Sequence, residues 1–316
     1  MARSPSGVKV GRYGSAATKA ISPPLRYFLA NGGQTSHVFS PTNALTPWTL
    51  GAVLVALLAF MTLNAIRKNR RDYSTFKRQR STKRRQKTFR KWLRQSFLNF
   101  GGAAVVVLLV SWQFVGPFQE AVERWGFVAS ARQAFDDSGW IGPAITTAIV
   151  VIVGGGAVLG IFLARREIDS QADVPAIGDV QALLPRNRAE LKYGAALAIN
   201  AGLVEELLFR LALPALIFGV TGSAVAAVAA SILIFGFLHI YQGLPGIIGS
   251  VILGTAFMAI YLATGSIVVA IVVHALFDLR SLVMIPVVVF GVHKELGNGA
   301  PPVKKKIADD AVAPTP

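Results

Sequence analysis

Residues 193–292 read YGAALAINAG LVEELLFRLA LPALIFGVTG SAVAAVAASI LIFGFLHIYQ GLPGIIGSVI LGTAFMAIYL ATGSIVVAIV VHALFDLRSL VMIPVVVFGV. This stretch is apolar almost throughout, and its only full charges are Glu205, Glu206, Arg210, Asp278 and Arg280. A hydrocarbon layer about 30 Å thick is crossed by roughly 20 apolar residues in a helix. Inside lipid the backbone must satisfy its own hydrogen bonds, which selects helices over irregular chain. The window therefore divides into helical spans at Tyr193–Leu213, Ser223–Ile240, Leu244–Ala263 and Ile267–Val292, with Pro214–Val220 trailing the first as half of a broken helix. Pro286 allows the last to be two pieces.

Outward from the window, uncharged runs at Trp48–Ile66, Phe97–Val115 and Trp140–Ala164 add three more candidate spans. The expectation is an all-α, polytopic transmembrane bundle of about seven or eight spans. Composition agrees: 53% of the 316 residues are hydrophobic and 15% charged, too few charges for a water-facing surface. With no cysteine, a disulfide scaffold, thiolate catalysis and thiolate metal sites are all excluded.

The net charge of +16 points at first toward nucleic acid, but its distribution does not. Residues 67–94 hold 14 of the 32 basic side chains and one acid, Asp72, between two apolar runs. A short basic segment between spans is what the positive-inside rule puts in the cytoplasm. Its cations are placed to meet anionic lipid, and its Tyr73, Phe76, Phe89 and Trp92 read as interfacial aromatics rather than base-stacking platforms. Membrane lipid is thus the expected partner of this loop, and nucleic acid is not.

Four regions follow. Residues 1–46, basic and rich in Ser, Gly and Thr, form a flexible tail without a secretory h-region. Residues 47–116 form a two-helix hairpin around the basic loop 67–94, residues 140–292 form the bundle, and 293–316 form a second tail. With the basic loop inside, the N-terminus lies outside and the Lys304-Lys305-Lys306 tail inside. The Ala/Val-rich composition points to a bacterial cytoplasmic membrane.

Charges at membrane depth carry the functional signal. A central Asp, Lys or Arg costs about 2.5–3.5 kcal/mol, so such groups face one another or a wet cavity. Glu206 and Arg210 are four apart on one helix face and can pair. Glu205 is rotated by about 100° and need not share that partner, which makes it the better candidate for a chemically active carboxylate. His274 and Asp278 are again four apart, so that the carboxylate can orient the imidazole. Phe235 lies one turn before His239, and Asn200 adds an amide to the glutamate helix as interhelical glue. Arg280 is read as snorkelling to a headgroup or pairing with Asp278.

Such a set suits hydrolysis, in which a buried carboxylate takes a proton from water and an imidazole donates to the developing oxyanion. The same residues, Glu205, His239, His274 and Asp278, could instead ligate a zinc ion. HExxH and GxSxG are both absent. The rivals are an ion- or proton-coupled transporter, although no inverted repeat is visible, and a non-catalytic scaffold or immunity protein.

Three motifs then stand in order: Glu205-Glu206-Leu-Leu-Phe-Arg210, Phe235-Gly-Phe-Leu-His239 and His274-Ala-Leu-Phe-Asp278. They resemble the EExxxR, FxxxH and HxxxN/D motifs of the CPBP family, the CAAX-type and bacteriocin-processing intramembrane endopeptidases, with a catalytic core over about 190–292. The resemblance implies that Glu205 activates water with His239 and that His274 stabilises the oxyanion. It makes Glu206 and Arg210 structural and gives Asp278 the task of orienting His274. It implies a peptide or protein substrate, possibly membrane-associated, and the glutamate scheme requires no cofactor.

Overall fold

The computed structural model describes residues 45–139 and 181–297, together with Gly142. The expected N-terminal tail, the Trp140–Ala164 span and the tail beyond 297 lie outside the described residues. Within them every regular element is helical. The principal helices are α1 (Thr46–Arg67), α2 (Thr82–Ser96), α3 (Gly102–Ser111), α4 (Val115–Glu123), α5 (Gly126–Asp137), α6 (Arg188–Glu206), α7 (Leu213–Thr221), α8 (Ala224–Leu238), α9 (Gly243–Thr264), α10 (Ile267–Leu279) and α11 (Ile285–Phe290).

Four helical stretches are long and apolar enough to cross a membrane, namely Thr46–Lys77, Thr82–Glu123, Ile240–Thr264 and Ile267–Val288, with Ala224–Leu238 a shorter apolar fifth. Large apolar side chains stand outward on them: Leu109 is 77% exposed and Ile252 64%. Exposure of that kind on uncharged helices is what lipid rather than water accommodates. A count of about seven or eight spans is not reached among the described residues. The fourth expected span is helical, but Glu205, Glu206 and Arg210 interrupt its apolar run.

Local sequence places the turns. Gly222 and Gly265 end α7 and α9 in the left-handed conformation, with φ of 66° and 62°. Each is followed at once by a serine, Ser223 or Ser266, whose hydroxyl accepts the N–H of the third residue of the next helix. Two Gly-Ser dipeptides thus fold α7 onto α8 and α9 onto α10. Apolar side chains of α7, led by Leu213, Leu216 and Ile217, fill the centre of the main core against Leu50, Leu57, Phe114 and Phe118.

Pro214–Val220 is not half of a broken helix. The chain runs from α6 into α7 through a π-helical stretch, Leu207–Ala212, and from α10 into α11 through another, Arg280–Met284. Each ends two residues before a proline, Pro214 or Pro286, which has no N–H to return to the carbonyl four residues back. Widening the turn there accommodates the proline without breaking the rod, and π turns of this kind recur at functional sites.

The basic segment 67–94, read as a loop, is helical as well: a π turn Lys68–Tyr73, one turn Ser74–Lys77, and then α2. Its aromatic face is buried. Phe76, Phe89 and Trp92 pack together, and Phe89 stacks on Tyr193 of α6 at 6.1 Å. α2 lies parallel to α6, joined by Asn187 to Thr82 at 2.8 Å and Asn200 to Ser96 at 2.9 Å. Between these, fully buried Arg85 donates through Nε to both oxygens of fully buried Glu190, at 3.0 and 3.1 Å. Its Nη2 reaches the carbonyls of Ala182 and Leu184. Glu190 also receives the backbone N–H of Arg186, whose guanidinium is held below its usual pKa by burial.

Removing one member of a buried ion pair strands the other charge, whereas replacing both by apolar groups is often neutral. Glu190→Ala is expected to destabilise the protein by about 3–5 kcal/mol, and the double variant Arg85→Met/Glu190→Met to recover most of that loss. Chemical unfolding in detergent measures both.

Candidate functional site

The site begins with small residues. Gly194, Ala198 and Gly202 recur every four positions on α6, all buried. A Cβ on Gly202 would lie 2.8 Å from the backbone nitrogen of Ala275 in α10, and one on Gly194 would lie 2.6 Å from the Leu282 carbonyl oxygen. Small side chains at that spacing let two membrane helices approach closely. The next position on the same four-residue step is Glu206, and the close approach brings it onto α10.

There Glu206, fully buried, meets His274 through Oε1 and Nδ1 at 2.7 Å. Its other oxygen lies 3.1 Å from Nε of Arg210, itself 1% exposed. Arg210 Nη2 donates to the Gly254 carbonyl of α9 at 3.3 Å, and the guanidinium stacks over Phe235 at 4.6 Å. Gly254 also yields space, since a Cβ on it would stand 2.9 Å from the Phe235 ring. On the other side Phe257 stacks flat on His274, with centroids 4.5 Å apart. Two phenylalanines thus wall a charged triad of one acid, one guanidinium and one imidazole.

This geometry changes two expected roles. Glu206 makes the short hydrogen bond to His274, while Asp278 stands 3.7 Å from Nε2, beyond hydrogen-bonding distance. Orientation of the ring therefore comes from across the helix interface rather than from one turn along α10. Nor is Glu206 bound to Arg210 alone. Arg280 has its guanidinium over Phe277 at 5.9 Å, and among the described residues no ion pair joins it to Asp278.

Glu205 is half-buried beside this triad, within electrostatic reach of His274, Asp278 and Arg210. His239, also half-buried, ends α8, with Nδ1 2.9 Å from the Phe235 carbonyl and its ring 4.8 Å from that of Phe235. The Phe235 ring of the second motif stands 6.3 Å from the His274 ring of the third and under the Arg210 guanidinium of the first, so all three motifs contribute to one region. Asn200 bonds Ser96 of α2, a structural bridge away from the triad.

Phe257 and Tyr241 were not singled out in the sequence. Tyr241 lies between the rings of His239, at 6.0 Å, and Tyr73 of the basic hairpin, at 5.4 Å. Its position two residues after the histidine was a faint signal. Phe257 gave less, being one of many apolar residues in α9.

A zinc ion needs three or four donors converging at bonds of about 2.0–2.2 Å. Among the described residues no three His, Asp or Glu side chains are grouped to hold a metal ion. Nδ1 of His274 faces Glu206 and Nδ1 of His239 faces the Phe235 carbonyl, contacts that zinc-ligating histidines also make through their second ring nitrogen.

Comparison with known proteins gives one match: residues 187–280 fit the family model described as Type II CAAX prenyl endopeptidase Rce1-like. The matched segment contains all three motifs. No curated protein and no solved structure matches the chain.

Removing the Glu206 carboxylate would leave Arg210 buried without its partner acid and His274 without its acceptor. Glu206→Leu is expected to destabilise the protein by about 3–5 kcal/mol, more than Glu205→Leu at the half-buried neighbouring position. Thermal melting in detergent compares the two.

Proposed function

We propose, for a chain whose residues 187–280 match the Type II CAAX prenyl endopeptidase Rce1-like family model and which we read as a CPBP-type protein, an intramembrane endopeptidase that hydrolyses a peptide bond near the membrane surface by a carboxylate-activated water. The observation that supports this best is the buried Glu206 shared by Arg210 and His274, with half-buried Glu205 next to it. Glu206 is occupied in fixing a cation and a ring, and half-buried Glu205, one residue before it, is assigned the proton transfer.

In the proposed sequence Glu205 takes a proton from water, and the hydroxide oxygen adds to the scissile carbonyl carbon. His239 assists. The hydrogen bond to the Phe235 carbonyl assigns its hydrogen to Nδ1, so that Nε2 is its basic nitrogen. His274 donates to the oxyanion from Nε2 as an imidazolium, with Nδ1–H held by Glu206 and Asp278 beside Nε2. Collapse of the tetrahedral adduct breaks the C–N bond, and the departing amine takes its proton from the Glu205 carboxyl group.

Depth supports a reaction close to the bilayer surface. Val204, just before Glu205, packs against Gly101, four residues into the apolar run that starts at Phe97. The acid is therefore near the end of that run facing the basic hairpin, which the positive-inside rule assigns to the cytoplasm. A membrane-associated protein or peptide presented from that side is the substrate class that fits.

Glu205→Ala, His239→Ala and His274→Ala are each expected to lower cleavage of a peptide library by about two to four orders of magnitude with expression and insertion unchanged. Normal cleavage by Glu205→Ala would overturn the assignment. Activity of the purified enzyme should also persist in the presence of a chelator. Loss that zinc restores would instead establish the metallopeptidase scheme.

A further inference from the structure

The mechanism leaves unused the most charged part of the chain. In α2 the buried positions Arg85, Phe89 and Trp92 share one face, and Lys83, Lys87, Arg90 and Arg94 line the opposite one, all exposed. At the end of α1, Arg67 and Arg71 are exposed as well. The Lys91–Asp72 ion pair, at 3.3 Å, ties the two helical arms together, with Arg71 and Arg90 next to it in sequence on either arm.

These positions are close to the bilayer. Arg67 directly follows the apolar run ending at Ile66, and Arg94 precedes Phe97 by about 4.5 Å of helix. Arg71 and Arg90 lie about 7.5 and 10.5 Å along the helix from the same run ends. The headgroup layer on each side of the hydrocarbon is roughly 5–8 Å thick. We propose that Arg67, Arg71, Arg90 and Arg94 form a binding surface for anionic phospholipid headgroups at the root of the hairpin.

Two observations favour lipid over other polyanions. Single-stranded nucleic acid binds through aromatic platforms beside a basic groove, yet Tyr73, Phe76, Phe89 and Trp92 are all buried in the hairpin core. An acidic peptide would have to arrive from solution, whereas lipid phosphates already occupy the depth of Arg67, Arg71 and Arg94, and the long side chain of Arg90 reaches down to that layer from about 3 Å beyond it. Arginine also suits phosphate through its paired N–H donors.

The test uses the full chain reconstituted in nanodiscs of phosphatidylcholine mixed with phosphatidylglycerol, and counts the lipid retained on release by native mass spectrometry. Phosphatidylglycerol is expected to be retained severalfold above its share of the bilayer. R67Q/R71Q/R90Q/R94Q should bring it down to that share, and raised salt should weaken it. All four side chains are exposed, and circular dichroism confirms folding of the variant; should the quadruple variant misfold, Arg71→Gln and Arg94→Gln are measured singly. Retention in proportion to the mixture, or equal enrichment in the variants, overturns the proposal. Polyglutamate peptide and single-stranded RNA are offered to the protein in pure phosphatidylcholine discs. Tight binding of either, lost in the variant and without phosphatidylglycerol enrichment, also overturns it. Because the readout is lipid retention, its outcome stands apart from whether the protein cleaves peptides.

Discussion

A carboxylate fully buried among lipid-facing helices persists only where other groups meet its charge, and at Glu206 two do so from different directions. Arg210 comes from its own helix through the π turn, and His274 comes from α10. The three side chains are mutually dependent, since loss of any one leaves a polar group stranded in a low-dielectric interior. Phe235 and Phe257 close the space around them, and the Gly254 carbonyl takes a further Arg210 donor. The neighbouring Glu205 is half-buried beside them.

Close helix approach makes the arrangement possible. Hydrophobic burial does not drive helices together inside lipid, so packing of small surfaces and polar contacts must do so. Gly194, Ala198 and Gly202 supply the small surface, and Glu206 supplies the polar contact one step further along. Two of the four π stretches among the described residues lie directly after Glu206 and soon after Asp278, and each of these precedes a proline.

The basic hairpin shows how one segment can face two environments. Its cations point outward, whereas its aromatic rings and Arg85 are buried against α6. The parallel pairing of α2 with α6 extends from Asn187 at Thr82 to Val204 at Gly101. Through Tyr73 and Tyr241 the same hairpin reaches the ring of His239. The matched family segment, 187–280, therefore packs against helices that lie outside it.

Helicity, membrane character and the motif residues were legible along the chain because each depends on short-range pattern: apolar runs, four-residue spacing, and charges that lipid makes conspicuous. The Glu206–Arg210 pair was readable for the same reason, being one helical turn apart. Partner choice across helices was not. The i, i+4 spacing favoured Asp278 for His274, yet Glu206, 68 residues away, makes the hydrogen bond, because the glycine seam brings α6 closer than a helical turn could indicate. Composition likewise marked 67–94 as basic but not as a folded hairpin, since its buried Arg85 needs a Glu190 that becomes its neighbour only once α2 lies on α6. Sequence by itself determined which side chains are too costly to leave alone in a membrane; only the tertiary structure decided which of them meet, because that depends on how near two backbones can come.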